Sequence, residues 1–272
     1  GSDSSSPSDY STTNIQEAGV DEPDLVKTDG KFIYMTKSNT LRIVSSWPAE
    51  DSREVGAIEL SSASSDIFLH EDTVLAYSNQ YIEDGARWRA VTMVDIIDVS
   101  DRSNPELIAT KRIDGRFVSA RRIGSDVYTV TQPTIDLPYE THEAVWDAYA
   151  SADMHGDVSV PWDASALTRE TARRTLETAI RPVIEHGIAQ MATTDLLPSV
   201  THEDGTREPI ADCTDILHSK DVSNPGLTVV SHIDIHRPAA GVSGDATAIM
   251  AGTTTVYASQ QSLYVAQSSF SW

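Results

Sequence analysis

The chain of 272 residues has one cysteine, five lysines and no apolar run near the roughly 20 residues a membrane-spanning helix needs. The lone Cys213 excludes an internal disulfide and reads as a small buried hydrophobe. No GxSxG elbow, HExxH pair, P-loop or dinucleotide fingerprint is present, so the most legible catalytic chemistries have no foothold. Gly241-Val242-Ser243-Gly244 has the wrong spacing for a nucleophile turn. What the chain has in excess is negative charge. Asp and Glu total 41 against 20 Lys and Arg, a formal net charge of −21. Nucleic acids and anionic membranes are poor partners for such a surface. Residues 1–20 open as a Ser/Asp/Thr-rich tail with little to bury, a flexible tether in front of a globular domain. No signal peptide is visible, so any export segment has been cut away or lies outside this chain, as would an N-terminal membrane anchor.

The organising stretch is Val94 to Val130, which alternates short apolar runs with polar turns. Val94-Asp95-Ile96-Ile97 is ended by Asp98, Ser100, Asp101, Ser103, Asn104 and Pro105, whose side chains and ring favour a turn. Parts of it recur. Ser103-Asn104-Pro105 returns as Ser223-Asn224-Pro225 and Ile113-Asp114 as Ile233-Asp234, both at an offset of 120. A turn followed by an apolar-aromatic strand appears at Asp29-Gly30, Glu71-Asp72, Gly124-Ser125 and Gln261-Ser262. The steps between equivalent apolar residues Phe32, Val74 and Val127 are 42 and 53. These match one four-stranded propeller blade of about 40–50 residues. The expectation is a mainly β chain, a partial β-propeller of four-stranded antiparallel blades. It has three blades and the opening of a fourth, with both Ser-Asn-Pro turns in equivalent places and all strands antiparallel.

Residues Asn14 to Tyr34, with Gly19-Val20-Asp21-Glu22 and Lys27-Thr28-Asp29-Gly30, resemble the opening signature of a family of secreted bacterial and archaeal β-propeller proteins. The family is distantly similar to WD40 propellers. Pro23 stands where the family usually has Ala. The Asp98 to Pro105 turn, Gly115 to Ser119 and Tyr257 to Val265 extend the resemblance over most of 14–272. It implies export and no established catalytic residue. The Asp-rich, Lys-poor usage also resembles proteins of halophilic archaea.

Between Pro138 and Pro209 the β pattern stops. Thr141 is expected to cap a helix over 142–152 and Thr168 one running to Met191. The second carries an apolar stripe at Ala172, Leu176, Ala179, Ile180, Val183, Ile184 and Ile188, and Pro182 should kink or split it. The divisions are a tail over 1–20, blades over 21–139, a helical insertion over 140–209 and a further blade over 210–272, expected to continue beyond the chain.

Among candidate ligands, His232, Asp234 and His236 alternate along a strand-like run and would share one face, a combination suited to zinc or a similar divalent metal. A polar outer face opposite Ile233 and Ile235 is the simpler account of the three and the favoured one. Asp95, Asp98 and Asp101 lack EF-hand spacing and read as turn caps. His70, His142, His155, His186, His202 and His218 show no ligand spacing. No cofactor is indicated beyond such a metal. The expected function is a secreted or cell-surface binding or scaffold domain for an extracellular ligand or protein, prone to self-associate through an open propeller edge. An extracellular hydrolase or metal-dependent enzyme on the channel face, and a structural cell-surface component, are the alternatives.

Overall fold

The computed structural model describes residues 17–84, 87–134, 137–153, 159–161, 163–202, 204–218, 226–237, 246–253 and 255–267. The Ser223-Asn224-Pro225 turn and the 241–244 loop lie outside them, as does most of the N-terminal tail. The chain divides into a β unit (up to 84, 88–134 and from 197) and a helical unit (85–87 and 135–196).

In the β unit the first sheet is β1 (Val26–Thr28), β2 (Phe32–Lys37), β3 (Thr40–Ser45) and β4 (Arg53–Glu59), hydrogen-bonded in chain order and antiparallel. The second holds β5 (Ser64–His70), β6 (Thr73–Asp84), β7 (Arg87–Asp98) and β8 (Glu106–Asp114), again in chain order. The third begins with β9 (Arg116–Ile123) and β10 (Asp126–Gln132). Beyond the helical unit the chain returns to strand. Here β11 (Ser199–Thr201) and β12 (Arg207–Pro209) extend the second sheet past β8. The later strands β13 (Ile216–His218), β14 (Thr228–Asp234) and β15 (Thr247–Met250) complete the third in the order β9-β10-β14-β15-β13. A hairpin of β16 (Thr255–Ala258) and β17 (Leu263–Ala266) follows. Successive sheets of hairpin-connected strands are what the repeats predict, with six and five strands in the second and third where four were expected.

Alternation explains the packing. Strand side chains point to opposite faces in turn, so a sheet flanked on both sides needs apolar residues at every position. In β5 and β6, Phe68, Leu75 and Tyr77 face one core, shared with Val127, Val229 and Ile233 of the third sheet. Ile67, Val74 and Ala76 face the other, shared with Tyr34, Leu41 and Ile43 of the first. The second sheet is thus packed between the other two. Burial of each such side chain contributes about 1.5–3 kcal/mol. The Tyr77 hydroxyl, wholly buried, lies 2.9 Å from Thr129 Oγ1 and so has its partner.

The third sheet corrects two expectations. Its β13–β15 pair is parallel, so the strands are not all antiparallel. The 120-residue offset maps β8 onto β14, both ending in a buried isoleucine and an aspartate. Yet β8 is fourth in its sheet and β14 is third, directly beside β10. Strand length decides this. With seven residues, β14 makes six registered pairs with β10. The three-residue β13, its last two residues exposed, has little to offer that place.

The helical unit pairs α1 (Tyr139–Asp153) with α2 (Ala166–Ala189). Ser165, not Thr168, caps α2, its hydroxyl accepting from the Thr168 amide. Thr141 lies inside α1 and is buried, while the Pro138 carbonyl accepts from Thr141 N and His142 N. Pro182 does not split α2, which runs as one helix through it. One missing backbone bond is tolerated inside 24 residues whose exposed face carries Glu170, Arg173, Arg174, Glu177 and Arg181 in i,i+3 and i,i+4 pairs.

Candidate functional site

Each recurring turn closes the first hairpin of a sheet. The register places 71–72 between His70 and Thr73, and 124–125 between Ile123 and Asp126. Residues 29–31 lie between β1 and β2, and 259–262 between β16 and β17. Several charged groups of the β unit lie at or beside these turns.

The N-terminal segment supplies the first cluster. Asp21 exchanges two backbone hydrogen bonds with Arg122 of β9, and Asp24 exchanges two with Ile67 of β5. The Asp21 carboxylate accepts from Lys27 Nζ at 2.7 Å and from Arg122 at 3.1 and 3.3 Å. Lys27 is buried and lies over the Phe68 ring. Glu22 pairs with Arg121 at 3.3 Å, and Arg121, also buried, donates to the Val256 carbonyl of β16 at 2.9 Å. Tyr257 donates to Glu17 at 3.0 Å, which raises the Tyr257 pKa, and Gln260 donates to the Ala18 carbonyl. The segment that carries the Gly-Val-Asp-Glu signature is therefore bonded to the second and third sheets and to the last hairpin. Its acidic residues stitch strands together.

A second cluster joins the turns of the first two sheets. Tyr34 donates to Asp29 at 2.9 Å, Arg102 donates to the Tyr34 hydroxyl at 2.9 Å, and Arg102 also pairs with Asp72. Burial, reinforced by Asp29, pushes the Tyr34 pKa well above its ordinary value. The Asp98 to Pro105 turn thus holds Arg102 across both hairpin ends. Asp98 and Asp101 cap its backbone, accepting from Ser100 N and Ser103 N. Asp95 is buried and accepts from Ser61 N, Ser61 Oγ and Thr110 Oγ1, so its oxygens are already satisfied.

The third cluster holds histidines. Among the described residues, His70, Glu71 and His236 are grouped with ligand atoms all within 4.8 Å of one another. The His70 and His236 rings lie 5.1 Å apart, and Arg122 Nη1 is 3.1 Å from His70 Nδ1. Burial, then the Arg122 charge, lowers the His70 pKa and favours neutral imidazole. The three residues read from sequence as a metal set take separate places. His232 bonds Asp126 through Nε2 at 2.7 Å and packs on the Tyr128 ring. Asp234 pairs with Arg237 at 2.9 Å, which together with the His236 amide holds its carboxyl low. The strand ends at Asp234, so His236 is off its face and sits beside His70. Sequence reasoning missed His70 and Glu71 because 166 residues separate His70 from His236. The signal was the turn repeat, since Glu71 opens one of the recurring turns.

A family model described as "Beta propeller domain" matches residues 10–272. An uncharacterized protein of Archaeoglobus fulgidus is 24% identical over 145 residues, 48% of this chain and 20% of that protein. An uncharacterized protein of Methanocaldococcus jannaschii is 24% identical over 167 residues, 60% of this chain and 24% of that protein. The chain thus spans about a fifth to a quarter of the length of these curated relatives. No solved structure matches it significantly.

Proposed function

The chain belongs to the β-propeller domain family, and from that premise we propose that it serves as a secreted or cell-surface binding or scaffold domain. One observation carries this reading. The hairpin turns at 29–31, 71–72 and 124–125 are tied to neighbouring elements by Arg102, Arg122 and Asp21. A loop face held in place before a ligand arrives loses little conformational entropy on binding. With a net charge of −21 the ligand it suits is cationic or carries exposed basic groups. The same charge supports adaptation to high salt, where screening relieves self-repulsion.

The test is biolayer interferometry of the immobilised chain against solubilised cell-envelope protein and glycan fractions in molar salt. Saturable binding that the turn variant Asp72→Ala weakens supports the reading. Absence of saturable binding, or equal binding by the variant, removes it. The imidazole–carboxylate group favours the metal-dependent enzyme as second reading. Ester, peptide or glycoside hydrolysis lost in His236→Asn would replace the binding role.

A further inference from the structure

We propose that His70, Glu71 and His236 bind a divalent first-row transition ion, with Zn2+ the closest match. The ion would tie the β5–β6 turn of the second sheet to the segment following β14 of the third. The proposal does not rest on the binding reading above.

Consecutive strand residues point to opposite faces, so His70 and Glu71 converge only because the backbone turns between them. Glu71 has φ +52, a left-handed conformation that side chains other than glycine and asparagine rarely adopt. The corresponding position of the third sheet's hairpin, first after Ile123, is Gly124 with φ +61. Where the sister turn has glycine, this one keeps a carboxylate, within 4.8 Å of the ligand atoms of two imidazoles. The left-handed φ is what a two-residue hairpin turn demands, and Ser38 shows it too at the β2–β3 turn, so the backbone brings Glu71 beside His70 without itself marking the site.

His236 arrives by an equally specific route. Asp234 accepts from the His236 amide at 3.0 Å, and Arg237 N donates to the Asp234 carbonyl at 3.0 Å. This turn carries His236 off the strand and against His70. Two imidazole nitrogens and one carboxylate oxygen are the donor set of borderline ions such as Zn2+, while Ca2+ takes oxygen ligands. Bonds of about 2.0–2.1 Å at the tetrahedral angle set donors roughly 3.3 Å apart. From separations of at most 4.8 Å, that closure needs only small rotations, and both Glu71 and His236 are exposed and free to make them.

Arg122 is the opposing group. Its donation to His70 Nδ1 leaves the proton on Nε2, the wrong tautomer for a metal at Nε2. Loading therefore requires Arg122 to release His70. It can do so because Asp21 and the Gly124 carbonyl hold the rest of the guanidinium and Asp21 compensates its charge.

The experiment is calorimetric titration of Zn2+ into the chelator-stripped full chain in non-coordinating buffer, with Ca2+ as the comparison ion. One equivalent of Zn2+ should bind and Ca2+ should not compete. His70→Asn and His236→Asn should each weaken binding by roughly a hundredfold, since loss of an outer-shell partner alone costs about 10–100-fold. His232→Asn should bind as wild type. Glu71→Gly separates site from fold, because it removes a ligand while placing glycine where the backbone favours it. Zn2+ binding should weaken while the metal-free melting temperature stays level or rises. No stoichiometric Zn2+ binding by the wild type, or undiminished binding by His236→Asn or Glu71→Gly, would overturn the site.

Discussion

Replacing Asp21 by alanine removes an acceptor that Lys27 and Arg122 share. The aspartate is only partly exposed and Lys27 is buried, so the variant leaves a poorly solvated ammonium with the Glu22 carbonyl still in reach. Removing one partner of a buried pair costs about 3–5 kcal/mol, and the partial exposure here brings the expectation to about 2–3 kcal/mol. Urea unfolding should show the midpoint falling with the slope unchanged. A change under 0.5 kcal/mol would mean that the signature acidic residues are not structural. At this scale the sequence was half legible. Asp98 and Asp101 read correctly as turn caps, since an aspartate bonds an amide two residues away whatever the rest of the chain does. Asp95, read with them, instead lies within β7 and bonds Ser61 and Thr110. The role of Asp21 was not legible, because its partner Arg122 lies 101 residues on.

Helix α2 offers two tests at the scale of an element. A Cβ on Gly187 would sit 2.3 Å from Thr141 Oγ1 of α1. Gly to Ala inside a helix ordinarily gains about 1 kcal/mol, but overpacking costs about 1–3 kcal/mol. Gly187→Ala should therefore lower the melting temperature of the helical signal, and Thr141→Ala in the same chain should restore part of it. The second test concerns Glu170, whose pKa is lowered to about 2 by hydrogen bonds from Arg173 and Arg174. A carboxyl depressed below its unfolded value adds stability above that value and loses it as pH falls through the folded one. Helical circular dichroism should decline between about pH 4.5 and pH 2, less so in Glu170→Gln. The group is exposed, so molar salt should flatten the effect. The existence of α2 was plain from its three- and four-residue spacing, but its cap and its passage through Pro182 were not.

The acidic excess belongs to the whole molecule. Forty-one acidic residues against 20 basic ones repel one another at low salt. Screening shortens from about 10 Å at 0.1 M to about 3 Å at 1 M. If the surface is adapted to salt, the melting temperature should climb steeply between those concentrations. A flat profile would return the charge to an ordinary solvated surface.

What the sequence determined alone were features written in short range. The four recurring turns each close a hairpin, and the Asp98 and Asp101 side chains cap the turn after β7. Both follow from backbone geometry over a few residues. Tertiary structure alone decided which strand pairs with which once the helical unit intervened. A stretch matched to β8 by repeat took the place beside β10, and the shorter β13 went to the edge in parallel. It also decided that His236 meets His70 rather than His232. Periodicity assigns residues to one face only while the strand lasts, and this strand ends at Asp234.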